Sequence, residues 1–420
     1  MRVEVGYGTG SQTVDISGKS TVEILRANEV NIERRGAEAV DFALRNPVGL
    51  PEIGKVIRPG EKIAVVTSDI SRPMPTWVVM PCLLDALYEA GAAKEDITLV
   101  FALGSHRNHT EEEMRRLAGE RAYSEIKCVD SDPTDCVRLG VTERGTPVDI
   151  TRVVAEADRR ICLGNIEYHY FAGYSGGAKA IMPGVSTPAA IQANHSMMVN
   201  DKACAGNLED NPIRQDIEEA AALCGIDYIV NVVLDEHKEI VFAVAGDVTE
   251  AHREGCRFLD GMYEVSVEEK ADIVIVSQGG APKDANMYQT QKALDNAGHA
   301  VRPGGTIILV GACNEGMGSA LFEEWMTEAK NPEDIVERIE REFRLGGHKA
   351  AAIAKILEYA DIKLVSMMDE DFVRNIFMEP YDNLDDAYRD AALKHGDDAR
   401  IIVMPYGGAT LPRIRAAGDK

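Results

Sequence analysis

The chain has 420 residues, 45% of them hydrophobic and 27% charged, and a formal net charge of −24. That length exceeds what one hydrophobic core usually organises, so two domains are expected, and the composition excludes a disordered chain. The acidic balance repels nucleic acid and anionic membrane surfaces; neither is expected as a partner, and any cationic cluster stands out as a place for an anionic substrate.

Short β-branched runs recur, each followed by turn residues and a helical pattern. "KIAVVTSD" (62–69) predicts a strand leading into "RPMPTWVVMPCLLDALYEAG", where Met80, Leu83, Leu84 and Leu87 share a helical face. Pro81 inside that stretch is expected to kink the helix or mark its true start. "DITLVFALGSH" (96–106) precedes "TEEEMRRLAG", a helix opened by a capping box of Thr110 and Glu113. "RRICLGNIEYH" (159–169) is a third strand, and the stretch 248–266 a connecting helix. A second series follows: "ADIVIVSQGG" (271–280), "GGTIILVGAC" (304–313), "IKLVSMM" (362–368) and "RIIVMPYGG" (400–408), with helices at "YQTQKALDNAGHAV" and "PEDIVERIEREFRL" between them.

This alternation predicts an α/β protein: two α/β domains with largely parallel sheets, joined by connecting helices, with the active site in the interdomain cleft. The first domain is expected over residues 1–265, with 405–420 open to return to it, and the second over 270–404. Eight scattered cysteines without a C-x-x-C pair suit reduced thiols. The start "MRVEVGYGTG" lacks a signal-peptide core, and no apolar run nears the ~20 residues that span a bilayer, so a cytoplasmic location is expected.

Reactive residue types gather where the strands end, the usual place for a ligand in an open α/β sheet. Asp69 and Arg72 follow the first run; Arg72 suits a carboxylate, or a surface ion pair. His106 and His109 follow the second run, with His106 at the strand end and His109 expected to face solvent. Arg107 between them either serves a second substrate carboxylate or faces water. In "EYHYFAGYSGGAKAIMPG" (167–184), Gly176 and Gly177 let the backbone approach a flat or phosphorylated group, and a helix starting there favours an anion. Lys179 is then open to three roles: phosphate ligand, Schiff-base former or another covalent anchor. His195 in "QANHSMM" reads either as a satisfied helix histidine or as an imidazole ligand to a borderline metal. Tyr288, Gln289 and Lys292 share about one helical turn after the first strand of the second series.

Taken together, "DISRP" (69–73), "GSHRNHT" (104–110), "HYFAGYSGGAKAIMPG" (169–184), "NH" (194–195) and "YQTQK" (288–292) resemble the nickel-pincer lactate racemase family of 2-hydroxyacid racemases and epimerases. The likeness covers nearly the whole chain in order; Ser71 stands where the family commonly has threonine. The resemblance implies inversion of a 2-hydroxyacid, lactate or a relative of it, by proton-coupled hydride transfer. It implies a nickel-pincer nucleotide tethered through Lys179, with His195 as the protein's nickel ligand and cofactor-synthesis enzymes as partners. His106 and His169 become the acid–base pair; Arg72, Tyr288, Gln289 and Lys292 the substrate contacts; Asp69, Gly176 and Gly177 the cofactor's seat. The chemistry agrees with these types: a 2-hydroxyacid Cα–H is hardly acidic, so removal as hydride with proton transfer to imidazole is the easier route. Two other classes are weighed beside it. One is a pyridoxal-phosphate amino-acid racemase using Lys179, the other a non-catalytic hydroxyacid-binding protein of the same fold.

Overall fold

The structure, a computed structural model, describes residues 1–16, 18–344 and 346–415. The chain forms two compact units: Val30–Gly261 is one, while Met1–Glu29 joins the chain from Met262 onward in the other.

In the Val30–Gly261 unit, six strands lie in the order Ile240–Gly246, Tyr228–Leu234, Arg159–Ile166, Ile63–Ser68, Ile97–Ala102, Lys127–Asp130. All neighbours are parallel except Tyr228–Leu234 and Ile240–Gly246, which form an antiparallel pair. Numbered along the chain, the order is 3-2-1-4-5-6, with the direction of winding reversing between Ile63–Ser68 and Arg159–Ile166. That reversal opens a crevice at the carboxyl ends of those two strands. The central strands are β-branched because both faces are covered: Ile63, Ala64, Val65 and Val66 are each at most 1% exposed.

The helix Thr76–Glu89 buries Val79, Met80, Leu83, Leu84 and Leu87 against this sheet. Each such side chain contributes about 1.5–3 kcal/mol, and Leu83→Ala would cost about 2–5 kcal/mol. Pro81 lies inside this helix rather than at its start, and the helix continues past it without the amide that would otherwise bond the Trp77 carbonyl. The helix Glu111–Ala118 opens on the expected Thr110–Glu113 capping box and stops at Gly119, whose φ is 80°.

The other unit holds a six-stranded, wholly parallel sheet in the order Glu379–Tyr381, Ala360–Val365, Val301–Val310, Ala271–Ser277, Arg400–Met404, Thr21–Ile24. Its winding reverses between Ala271–Ser277 and Arg400–Met404. Here the division differs from the sequence expectation. The first 29 residues, expected in the first domain, belong to this unit because Thr21–Ile24 is its edge strand. The segment after 404 also stays here, since Leu411–Ile414 pairs with Glu264–Val267; of the expected return segment, 416–420 lie outside the described residues. The boundary falls within the last turn of the helix Glu250–Tyr263. Among the described residues no helix is long and apolar enough to cross a membrane.

Candidate active site

The loop after Ile63–Ser68 and the loop after Ile97–Ala102 meet through side chains. Asp69, 4% exposed, accepts hydrogen bonds from His106 Nδ1 at 2.7 Å and from Ser71 Oγ at 2.7 Å. Burial pushes the Asp69 carboxyl up, but these donors outweigh it, and the group sits below its ordinary range. A carboxylate only accepts, so His106 carries its proton on Nδ1 and presents a lone pair at Nε2. Asp69, expected to seat a cofactor, is the hydrogen-bond acceptor that orients His106.

His109 does not face solvent. Its side chain is 1% exposed and donates from Nδ1 to Asp130 Oδ1 at 2.6 Å, while its Nε2 accepts from the Ile70 amide at 3.1 Å. Arg107, the nominated second-carboxylate ligand, is held by both oxygens of Glu113 at 2.7 and 2.8 Å.

The segment 167–184 leaves the strand Arg159–Ile166, on the other side of the winding reversal, and folds back over the sheet. It is tied to the His106 loop by the Gly104 amide donating to the Gly184 carbonyl at 2.9 Å. His169 is half-buried, its ring packed edge-on against Phe171 at 4.5 Å and stacked with Tyr170 at 5.3 Å. Burial, reinforced by Lys179, Arg72, His195 and Arg214, drives its basicity well below that of an ordinary histidine. Its Nδ1 accepts from the Ala172 amide at 3.3 Å, so the neutral ring carries its proton on Nε2.

Gly176 and Gly177 take φ of 75° and 58°, a region only glycine enters without strain. A Cβ on Gly177 would stand 2.8 Å from the His252 ring, and one on Gly176 2.8 Å from Asn231 Oδ1. The glycines thus make room for protein. The Gly177 amide donates to Asn231 Oδ1 at 2.7 Å, so it is not the free anion donor the sequence suggested; the helical piece after it is only Gly177–Ala180. His252 Nε2 donates to the Ser175 carbonyl at 2.8 Å and fixes the turn from below.

Lys179 sits on that piece, its ammonium 5.7 Å from the Phe171 ring centre. Among the described residues it makes no ion pair. Burial, then Arg72 and Arg214, hold its amine well below the ordinary lysine value, with Glu167 opposing them. Arg72 is exposed and, among the described residues, likewise has no carboxylate partner. Arg214 is wholly buried; its Nε donates to the Ala172 carbonyl at 3.2 Å and its Nη2 to the Tyr174 carbonyl, while Nη1 has no hydrogen-bond partner among the described residues.

His195 ends the helix Pro188–His195, which starts on Thr187 as N-cap with Pro188 in the first turn. The amide of Asn194 lies between acceptors and a donor. Its Nδ2 donates to Asp216 Oδ2 at 2.7 Å, so Oδ1 faces His195 Nδ1 at 2.9 Å and takes its proton. The lone pair is therefore on Nε2. Asp216, buried, also accepts from Thr142 at 2.5 Å and Thr146 at 2.7 Å. Within this unit the structure thus gathers Arg72, His169, Lys179 and His195 into one locality, with Asp69 and His106 on the adjoining loop. Asn194, Asp216, Asn231, His252 and Arg214 support them, and none was assigned a role from sequence.

In the other unit Tyr288, Gln289 and Lys292 lie on the first turns of the helix Met287–Ala300, which follows the strand at that sheet's winding reversal. Tyr288 and Gln289 are half-buried and Lys292 is exposed. Lys349, 4% exposed and unnoticed in the sequence, donates to Gln291 Oε1 at 2.7 Å and lies 5.1 Å from the Tyr288 ring centre.

Comparison with known proteins fixes the class. Residues 7–206 match the model described as the lactate racemase N-terminal domain, and residues 266–411 the model of the lactate racemase C-terminal domain. The protein is an isomerase. A lactate racemase of Thermoanaerobacterium thermosaccharolyticum is 33% identical over 98% of this chain and 99% of its own length. One of Lactiplantibacillus plantarum is 34% identical over 88% and 89%. The solved lactate racemase apoprotein from T. thermosaccharolyticum superposes with a TM-score of 0.89 at 32% identity, covering 98% of this chain and 100% of that one. The chain belongs to the lactate racemase family. A Thermotoga maritima structure, TM-score 0.63 at 18% identity over 90% and 98% of the two chains, shares the fold alone.

Proposed function

We propose that this protein inverts the carbinol carbon of a 2-hydroxyacid, lactate foremost because its relatives are named for it. The observation that carries the reading is the set around Lys179: a half-buried amine that makes no ion pair among the described residues, beside an exposed Arg72 of which the same holds, flanked by His169 and His195.

A lysine-tethered nickel-pincer nucleotide fits the residues present. Lys179 is kept from full charge by its surroundings, as an amine that forms a covalent bond must be. His195 has its tautomer fixed through Asn194 and Asp216, the outer-shell support usual for a metal-bound imidazole. Nickel brought by such a group would take His195 as its donor from the protein. When bound, the group supplies a hydride acceptor that can return the hydride. The chain's own residues do the rest. Arg72 holds the substrate carboxylate. The Nε2 lone pair of His106 receives the hydroxyl proton, and Asp69 compensates the charge that develops on the ring. His169 presents N–H to the carbonyl oxygen of the planar keto acid, and that oxygen takes back the proton held on His106 as the hydride returns. Tyr288, Gln289 and Lys292 are assigned to the substrate, and the family resemblance supports that assignment. The Gly176–Gly177 turn, packed on His252 and Asn231, carries Lys179 and with it the seat of the cofactor.

The test is a panel of single enantiomers of lactate, malate, phenyllactate, 2-hydroxybutyrate and gluconate, deuterated at Cα and offered to cofactor-loaded protein. Inversion with the label retained is expected for one of them. Inversion with the label lost to water would overturn hydride transfer. Silence from protein confirmed to carry nickel and the Lys179 adduct would overturn this substrate class.

A further inference from the structure

We propose that His109 and Asp130 position His106 by fixing the Asp69–Ile70 peptide. The inference rests on the reading of His106 as an acid–base group.

Asp130 ends the outermost strand, Lys127–Asp130, paired with Phe101 of the strand that leads into the histidine loop. Both of its oxygens are given to His109: Oδ1 accepts from Nδ1 at 2.6 Å and Oδ2 from the His109 amide at 2.8 Å. Because a carboxylate accepts only, the His109 proton is on Nδ1 and the lone pair on Nε2. That lone pair takes the Ile70 amide at 3.1 Å. The ring has no freedom to change this arrangement. It is 1% exposed and meets Phe101 edge-on at 5.3 Å.

The Ile70 nitrogen is bonded directly to the Asp69 carbonyl carbon. Holding it fixes the peptide plane that follows Asp69, and so the direction in which the Asp69 carboxylate meets His106 Nδ1. The loop 104–110 therefore grips residue 69 twice, by the carboxylate through His106 and by the backbone through His109. His109 is enclosed by Asp130, Ile70 and Phe101 and acts through Asp69; it is a positioning residue.

The experiment records ring 15N signals of His106 in cofactor-free protein, identified by their loss in His106→Gln, and steady-state rates of the loaded enzyme. Wild type should show His106 protonated at Nδ1. His109→Leu, folded as judged by thermal melting, should give mixed tautomers, as Asp69→Asn does. In that variant kcat should fall about 10- to 100-fold with KM nearly unchanged, because misplacing a reacting group costs on that order. His109→Gln, whose side-chain oxygen can still accept from Ile70, should recover most of both signals. Asp130→Asn provides a second route should His109→Leu not fold, since the amide has one acceptor oxygen where His109 engages two, through its ring Nδ1–H and its backbone N–H. An unchanged His106 tautomer in folded His109→Leu or Asp130→Asn, while Asp69→Asn alters it, would overturn the proposal. A shifted tautomer in protein that inverts no hydroxyacid would uphold the positioning and count against the functional reading.

Discussion

Asn194 Oδ1 takes the Nδ1 proton of His195 at 2.9 Å, and the direction of that amide is set by Asp216, which accepts from Nδ2 at 2.7 Å. Two sequence neighbours thus settle which imidazole nitrogen bears the lone pair. Asn194→Ala should lower nickel retention about 10- to 100-fold, the usual effect of removing an outer-shell partner, while His195→Ala abolishes it. Metal analysis of the loaded, dialysed protein checks this; wild-type retention in Asn194→Ala would remove Asn194 from the role.

Lys179 should behave as an unusually nucleophilic lysine. Burial, Arg72 and Arg214 all disfavour its charged form, so it is deprotonated well below the pH at which surface lysines are. In cofactor-free protein, limiting acetic anhydride near neutral pH should acylate Lys179 ahead of other lysines, seen as mass on its peptide. Arg72→Gln should reduce that preference. Equal labelling of all lysines in the wild type would show that the amine is ordinary.

His169 and His252 are both held neutral by burial, and His299 is pushed down to about 4. In the unfolded chain each titrates near 6.5. As pH falls below that value the unfolded state takes up protons that the folded state refuses, so stability drops by about 1.4 kcal/mol per pH unit for each such histidine. Urea midpoints should decline from about pH 6.5 to about pH 5, and His252→Gln, which can still donate to Ser175, should decline less steeply. A flat profile over that range would contradict the buried neutral state.

Gly177→Ala places a Cβ 2.8 Å from the His252 ring at a φ of 58°. Overpacking and left-handed strain together should cost about 2–4 kcal/mol, with loss of the Lys179 adduct as the turn shifts. Thermal melting and peptide mass report the two effects separately; a wild-type melting point would mean that His252 gives way freely.

The sequence shows the strand–helix alternation because buried parallel strands are apolar runs and each helix carries a visible start, as Thr110 and Glu113 do. It also places Arg72, His106 and His169 at strand ends, which is where the winding reversal puts a crevice. What it hides is pairing at a distance. Asn231 reads as a blemish in the run "YIVNVVL", yet it holds the Gly177 amide across 54 residues of chain. Arg214 and Asp216 look like the polar face of the helix Pro212–Cys224 but are wholly buried: the segment after His169 packs over Arg214, while Thr142, Thr146 and Asn194 close on Asp216. His109 looks like a solvated loop residue until Asp130 arrives on the neighbouring strand. The grouping of Met1–Glu29 with the later unit turns on Thr21–Ile24 pairing with Arg400–Val403, 379 positions later, and on Val3, Val5, Val14 and Ile16 entering that unit's core, contacts no local pattern announces.

The two histidines assigned to the substrate's oxygen are not equivalent. His106 has a carboxylate behind its ring; His169 has a backbone amide behind it and cations around it. Mirror-image substrates have equal free energy, so the equilibrium constant of a racemisation is one and kcat/KM must be the same from either side. The inequality of the rings can therefore surface only in kcat and KM separately, moving together for one enantiomer relative to the other. A protein with this pair of environments would bind one hand more tightly and turn it over more slowly, by the same factor, while remaining unable to favour either at equilibrium.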